Sequence, residues 1–160
     1  YKWVSGSNSH IGIGTQDIDY NSYLSLSANG YSYFRDGRKF NNNAGATYGN
    51  AYVTGDIIGI ALDLDNGALW FSKNGTWQNS ATQTEVENGT TTNAAFTSLS
   101  GEFFFGTGMG NSSEVANMNF GSPPYSISSG NSDAEGFGNF EYSVPSGFFS
   151  LCSKNLAEFG

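Results

Sequence analysis

The stretch Asp56–Trp77 constrains this chain more than any other, because two Asn-Gly pairs, Asn66-Gly67 and Asn74-Gly75, interrupt alternating apolar sequence. Asn and Gly tolerate the positive φ that a two-residue type I′ turn demands at both central positions, so each pair marks a hairpin. A two-residue turn at Asn66-Gly67 sets Asp65 opposite Ala68, Leu64 opposite Leu69, Asp63 opposite Trp70 and Leu62 opposite Phe71. Positions two apart share a face, so Leu62, Leu64, Leu69 and Phe71 form one apolar surface of an antiparallel ribbon. Trp70 then points the opposite way, and a covering layer over it is the expected state.

Composition agrees with an all-β domain. The chain has 160 residues, 16% of them aromatic and 12% charged, with 22 Gly. That length forms one domain able to bury roughly 70% of its unfolded surface. Tight turns rich in Gly and Asn suit short strands, and no useful helical period is present. The net charge of −8 excludes a nucleic-acid partner, which needs clustered cations. Arg35, Arg38 and Lys39 are the sole local basic cluster, read as a solvated loop or as a docking point for an acidic partner. The single Cys152 rules out an internal disulfide and sits among Phe148, Phe149 and Leu151 as a small hydrophobe. No apolar run approaches the ~20 residues that span a bilayer, so membrane insertion is not expected. The chain lacks an initiator Met and reads as a piece of something longer.

Taken in order, Tyr1–Val4 ends a first strand and His10–Gly14 alternates as a second, its glycines allowing close packing. Thr15–Leu26 is a loop. Tyr31–Phe34 is a strand closed by the turn Arg35–Arg38, and Asn41–Asn50 reads as an exposed polar loop. Gln78–Thr92 reads as an extended loop. Leu99–Gly106 contains Phe103-Phe104-Phe105, a strand too apolar to have a free face. Gly108–Ser113 reads as a turn, and Val115–Phe120 alternates with Ala116, Met118 and Phe120 on one side.

These residues carry a family resemblance. The run from Gly55-Asp56 through Ile57–Leu64 to Asp65-Asn66-Gly67, then Leu69, Phe71 and Lys73-Asn74-Gly75, resembles the central signature of the SPRY domain. Ile11-Gly12-Ile13-Gly14 and the closing Asn119-Phe120-Gly121 match it too, so the resemblance covers about residues 1–125. The segment from Phe140 to Leu156, with Pro145-x-Gly147-Phe148-x-x-Leu151-Cys152-x-x-Asn155-Leu156, is similar to the stretch C-terminal to SPRY domains in structural proteins of marine bacteriophages.

Catalytic constellations are thin. His10 is the only histidine, placed beside serines where a hydrogen-bonded structural role is expected. Asp63 and Asp65 leave one face of one strand, which does not supply the opposed carboxyls of a glycosidase. Asp63-x-Asp65-Asn66-Gly67 mimics half a calcium loop without its terminal Glu. No metal and no cofactor is expected. The sequons at Asn74, Asn88 and Asn111 are what chance yields in an Asn- and Ser-rich chain.

The resemblance implies a two-sheet antiparallel β-sandwich, a lectin-like jelly roll over residues 1–125. Residues 126–160 form an extension packed on it or leading to a further domain. It also implies non-catalytic binding through edge loops, here Asp17–Tyr23, Arg35–Asn50 and Trp77–Asn93. Aromatic rings with neighbouring polar groups suit sugar or protein recognition. The candidate residues are Tyr20, Tyr23, Arg35, Asp36, Arg38, Tyr48 and Trp77. The phage-like tail points to a virion component, a tail fibre, appendage or capsid decoration, that contacts other virion proteins, itself as an oligomer, or a host-surface glycan. A lectin-like module of a secreted polysaccharide-acting protein is the alternative.

Overall fold

The computed structural model describes residues 1–19, 21–110 and 113–159. Among the described residues, ten strands, two short α-helices and one 3-10 turn occur in the order β1 Lys2–Ser5, β2 Ser9–Gly14, β3 Gly30–Phe34, β4 Arg38–Asn41, β5 Ala44–Thr47, β6 Ile58–Asp63, β7 Ala68–Lys73, β8 Thr76–Trp77, α1 Gln83–Glu87, the 3-10 turn Thr91–Asn93, β9 Phe104–Met109, β10 Val115–Asn117 and α2 Ser153–Phe159. One sheet has the order β5-β4-β3-β2-β9, a second β6-β7-β8, and β1 pairs with β10. A bridge between Lys2 and Ile57 joins the last two, so the second layer runs β10-β1-β6-β7-β8. Every strand pairing is antiparallel. The core lies between the layers, with Ile11, Ile13 and Tyr33 from one sheet meeting Ile58, Leu69 and Phe71 from the other. Full burial of these side chains stabilises the fold by about 1.5–3 kcal/mol each.

The central hairpin keeps its predicted facing but not its register. Leu62 pairs with Leu69, Ala61 with Trp70 and Ile60 with Phe71, two residues away from a two-residue turn. Asp63 is the cause. Its carboxylate accepts the Asn66 backbone N–H at 2.9 Å and the Asn66 side-chain amide at 2.7 Å, which closes a four-residue loop over positions 64–67. Only Gly67 there has positive φ, at 62°. A slip of two preserves side-chain parity, so Leu62 and Phe71 still share the core face, but Leu64 moves into the turn and is 43% exposed. At Asn74-Gly75 both residues do adopt positive φ, 49° and 79°, and the turn has two residues as expected.

Four further expectations are corrected. The polar stretch after Asn41 is a hairpin, because Asn42 and Asn43 take positive φ of 50° and 58° and return the chain as β5, an exposed edge strand. The stretch after Gln78 holds α1, which starts with a capping box: Thr82 accepts the Glu85 N–H while Glu85 accepts the Thr82 N–H. Phe104 is 59% exposed, since β9 is an edge strand in which only Gly108 is buried, and this strand continues to Met109 where a turn was expected.

Trp70 is fully covered. It lies with Ala61, Ala68, Val86 and Ala94 in a second cluster beneath α1, and Phe148 of the C-terminal segment packs against the same cluster. A second tie joins Ser146 N–H to the Glu87 carboxylate at 2.9 Å. The segment is organised by Asp133. One of its oxygens accepts from Glu135 and Phe137 N–H at 3.1 and 2.9 Å. The other accepts from Ser150 N–H at 2.9 Å, Ser150 Oγ at 2.8 Å and Asn155 Nδ2 at 2.7 Å. Asn155 of the tail motif, with the neighbouring Ser150, is thus a hydrogen-bond donor to one carboxylate.

Candidate functional site

Alternation along β2 sends Ile11 and Ile13 into the core and His10, Gly12 and Gly14 to the outer face of their sheet. The loop before β3 lies directly on this floor. At Gly30 an added Cβ would stand 1.5 Å from the Leu24 carbonyl oxygen, so only glycine permits the approach. The loop thereby delivers Tyr23 to His10, the two rings 5.2 Å apart. His10 and Phe34 are cross-strand partners and stack at 4.4 Å, and Phe40 of β4 meets both edge-on, at 5.6 and 5.8 Å. The Arg38 guanidinium sits 4.6 Å from the Phe40 ring and pairs with Asp36 at 2.6 Å. The result is an aromatic patch, with half-buried Tyr23, Phe34 and Phe40 on an 8% exposed His10, rimmed by exposed Arg38 and Asp36.

Electrostatics fix the charge states. Burial holds His10 down at about 4, and its Nδ1 lies 3.0 Å from Ser32 Oγ and 3.3 Å from Ser25 Oγ, so the ring is a neutral aromatic member at physiological pH. Burial pulls the Asp36 carboxyl upward, but the hydrogen bonds from Arg38 outweigh it and keep this group below its ordinary range. The patch offers ring faces and one oriented guanidinium, a combination that grips a planar or acidic side chain. The two hydroxyls that share His10 Nδ1, those of Ser25 and Ser32, are buried with it beneath the rings. Among the described residues no three His, Cys, Asp or Glu side chains come together as metal ligands.

The sequence candidates divide. Tyr23, Asp36 and Arg38 are brought together here. Arg35 is not; its guanidinium lies 5.3 Å from the Trp3 ring and donates to the Ser7 carbonyl, bracing the β1–β2 connection. Tyr48 belongs to the core at 4% exposure, its hydroxyl accepting the Phe71 N–H at 3.2 Å, because the hairpin that replaces the expected loop turns this ring inward. Trp77 packs against the Trp70 cluster and donates Nε1–H to Gln83 at 3.0 Å, remote from the patch in the other sheet. Tyr20 lies outside the described residues. Sequence reasoning missed Phe34 and Phe40. Their signal was strand parity, which puts Phe34 on the face of His10 once the register of β2 and β3 is known.

Two stacked antiparallel sheets with an aromatic patch on the outer face of one define a β-sandwich. The SPRY domain model matches residues 2–123, and the chain belongs to the SPRY family, whose domains are protein-interaction modules. Among its relatives, Ran-binding protein 9 of Xenopus laevis is 28% identical over 117 residues, covering 72% of this chain and 19% of that protein. The Ran-binding proteins 9/10 homolog of Drosophila melanogaster is 29% identical over 124 residues, 75% of this chain and 11% of that one. The dual specificity protein kinase splA of Dictyostelium discoideum is 31% identical over 80 residues, 49% of this chain and 3% of the kinase. The chain therefore spans less than a fifth of each of these relatives and corresponds to one module within them.

Proposed function

We propose that this chain is a non-catalytic docking module that binds a protein partner on the patch formed by Tyr23, His10, Phe34, Phe40, Arg38 and Asp36. The observation that carries the reading is the exposed Arg38 guanidinium held over an aromatic surface by Asp36, the residue chemistry that dominates protein interfaces. The module works within a bacteriophage virion, as part of a tail fibre, appendage or capsid decoration. What supports that setting is the tail: its phage-like motif residues Phe148 and Asn155 each hold a defined place, on the Trp70 cluster and on Asp133. The partner is a neighbouring virion protein or a further copy of the chain. A host-surface glycan is the second partner class, favoured by the half-buried rings of Tyr23 and Phe40 beside exposed Arg38 and Asp36.

The test is affinity capture from particle lysates with the wild-type chain and with Arg38→Glu and Tyr23→Ala, alongside a glycan array. One virion protein retained by wild type and lost at least tenfold by both variants supports the reading. Equal retention by all three overturns the patch, and glycan hits without protein capture overturn the protein partner.

A further inference from the structure

Strand β5 is a free edge of the five-stranded sheet, and all of its residues are exposed. The direction of its hydrogen-bonding groups follows from the hairpin. In an antiparallel ladder, successive residues turn their N–H and C=O groups to opposite sides. Asn41 and Ala44 flank the two-residue turn, and Tyr48 N–H donates to the Gly37 carbonyl at 3.2 Å, so Ala44, Ala46 and Tyr48 face β4. Gly45 and Thr47 therefore face outward, and no hydrogen bond among the described residues reaches their N–H or C=O groups on that side. An open edge is ordinarily blunted by a charge, a proline or a bulge. Ala44-Gly45-Ala46-Thr47 has no charge and no proline, and its pairing with β4 is regular.

A foreign extended peptide is selected by side-chain pockets beside the edge that receives it, and Ala44, Gly45 and Ala46 present hardly any side chain to make one. A second copy of the chain needs no such selection. Set antiparallel about a two-fold axis at Ala46, Gly45 of each copy meets Thr47 of the other, and every outward donor finds an outward acceptor. The outer face of the sheet fits as well. Phe40 lies over Gly45, where an added Cβ would stand 2.6 Å from the ring, and a strand ~4.8 Å away brings Thr47 of the second copy beside that ring. Charge leaves the approach open. Two copies of net charge −8 repel, but no carboxylate occurs between Asp36 and Asp56, and Asp36 is paired with Arg38.

We propose that β5 pairs with β5 of a second copy of this chain, antiparallel and with Ala46 on the two-fold axis, joining two five-stranded sheets into one. The axis is perpendicular to the joined sheet, so the two aromatic patches lie on the same face of it. A pairing of four residues per copy falls below the ~1,200 Å² of standard interfaces, so the dimer is a weak one. It needs no partner on the Arg38 patch and stands independently of that reading.

The experiment is sedimentation velocity of the 160-residue chain alone from ~10 µM to ~1 mM, with amide exchange followed at the same concentrations. The dimer fraction is expected to rise with concentration, and exchange at Gly45 and Thr47 to slow about threefold. Thr47→Pro removes an outward N–H without touching the β4–β5 ladder and is expected to weaken association about tenfold. Ala46→Lys and Ala46→Glu each set like charges across the axis and are expected to weaken it, whereas an equimolar mixture of the two restores it, because Ala46 of one copy faces Ala46 of the other. A monomer at ~1 mM, undiminished association by Thr47→Pro, or a mixture no better than its components overturns the proposal. So does loss with Tyr23→Ala but not with Thr47→Pro, which puts self-association on the patch. The mixture decides the matter even where Thr47→Pro fails to fold.

Discussion

Asp133→Asn is a nearly isosteric change with a large expected effect. The carboxylate accepts five hydrogen bonds, three of them on the oxygen that faces Ser150 N–H, Ser150 Oγ and Asn155 Nδ2. An amide can keep its oxygen toward Glu135 and Phe137, but its NH₂ then points at those three donors. Ser150 can rotate its hydroxyl and recover one bond; the backbone N–H and the Asn155 amide cannot. Each lost bond to a charged acceptor is worth about 1.5–3 kcal/mol, so losing two costs roughly 3–6 kcal/mol. That energy comes from the segment Asp133 organises, and the variant opens it locally before the sandwich unfolds. Amide exchange at Ser150 is expected to accelerate at least a hundredfold, and tryptophan emission to shift to the red as Phe148 leaves the Trp70 cluster. A change below about 1 kcal/mol at Ser150, with unaltered emission, refutes the role given to the carboxylate.

The remaining expectations concern pH, capping and the patch. Burial lowers the His10 pKa from 6.5 to about 4, so the unfolded chain takes up a proton first; stability is full above pH 6.5 and falls toward pH 4 at about 1.4 kcal/mol per pH unit, a slope His10→Phe abolishes in denaturant titrations. For Asp133 burial pulls upward, but the donors from Ser150, Phe137 and Asn155 prevail and depress it from 3.8 to about 2; its contribution is present above pH 3.8 and is lost as pH falls toward 2, seen as faster Ser150 exchange in acid. Thr82→Ala breaks the capping box of α1 and costs about 1 kcal/mol by urea denaturation. Arg38→Ala shifts stability by no more than about 0.5 kcal/mol, because its ion pair with Asp36 is solvent-exposed, yet it weakens partner binding at least tenfold by calorimetry.

The sandwich was legible because strand parity survives errors of register. A two-residue slip moved Leu64 out of the core but left Leu62, Leu69 and Phe71 facing inward, so the layer was right for reasons that do not depend on the turn. The turn itself was misread because Asp63 closes it with side-chain hydrogen bonds, which compete with the local preference of Asn-Gly. Asn42-Asn43 hid a hairpin inside polar sequence, since β5 is an exposed edge with no apolar face to announce it. The patch was half visible. Tyr23, Asp36 and Arg38 stood out as loop residues, whereas Phe34 and Phe40 look like core residues until the sheet pairing shows which way they point. Tyr48 illustrates the converse, a loop-like neighbourhood whose ring is needed between the sheets.

The most direct test of the docking account is an amide hydrogen-exchange footprint of the chain bound to the partner protein it retains. The account predicts slowed exchange centred on Tyr23 and Phe34–Phe40. Protection confined to the Trp77–Asn93 side, with the patch exchanging as in the free chain, contradicts it.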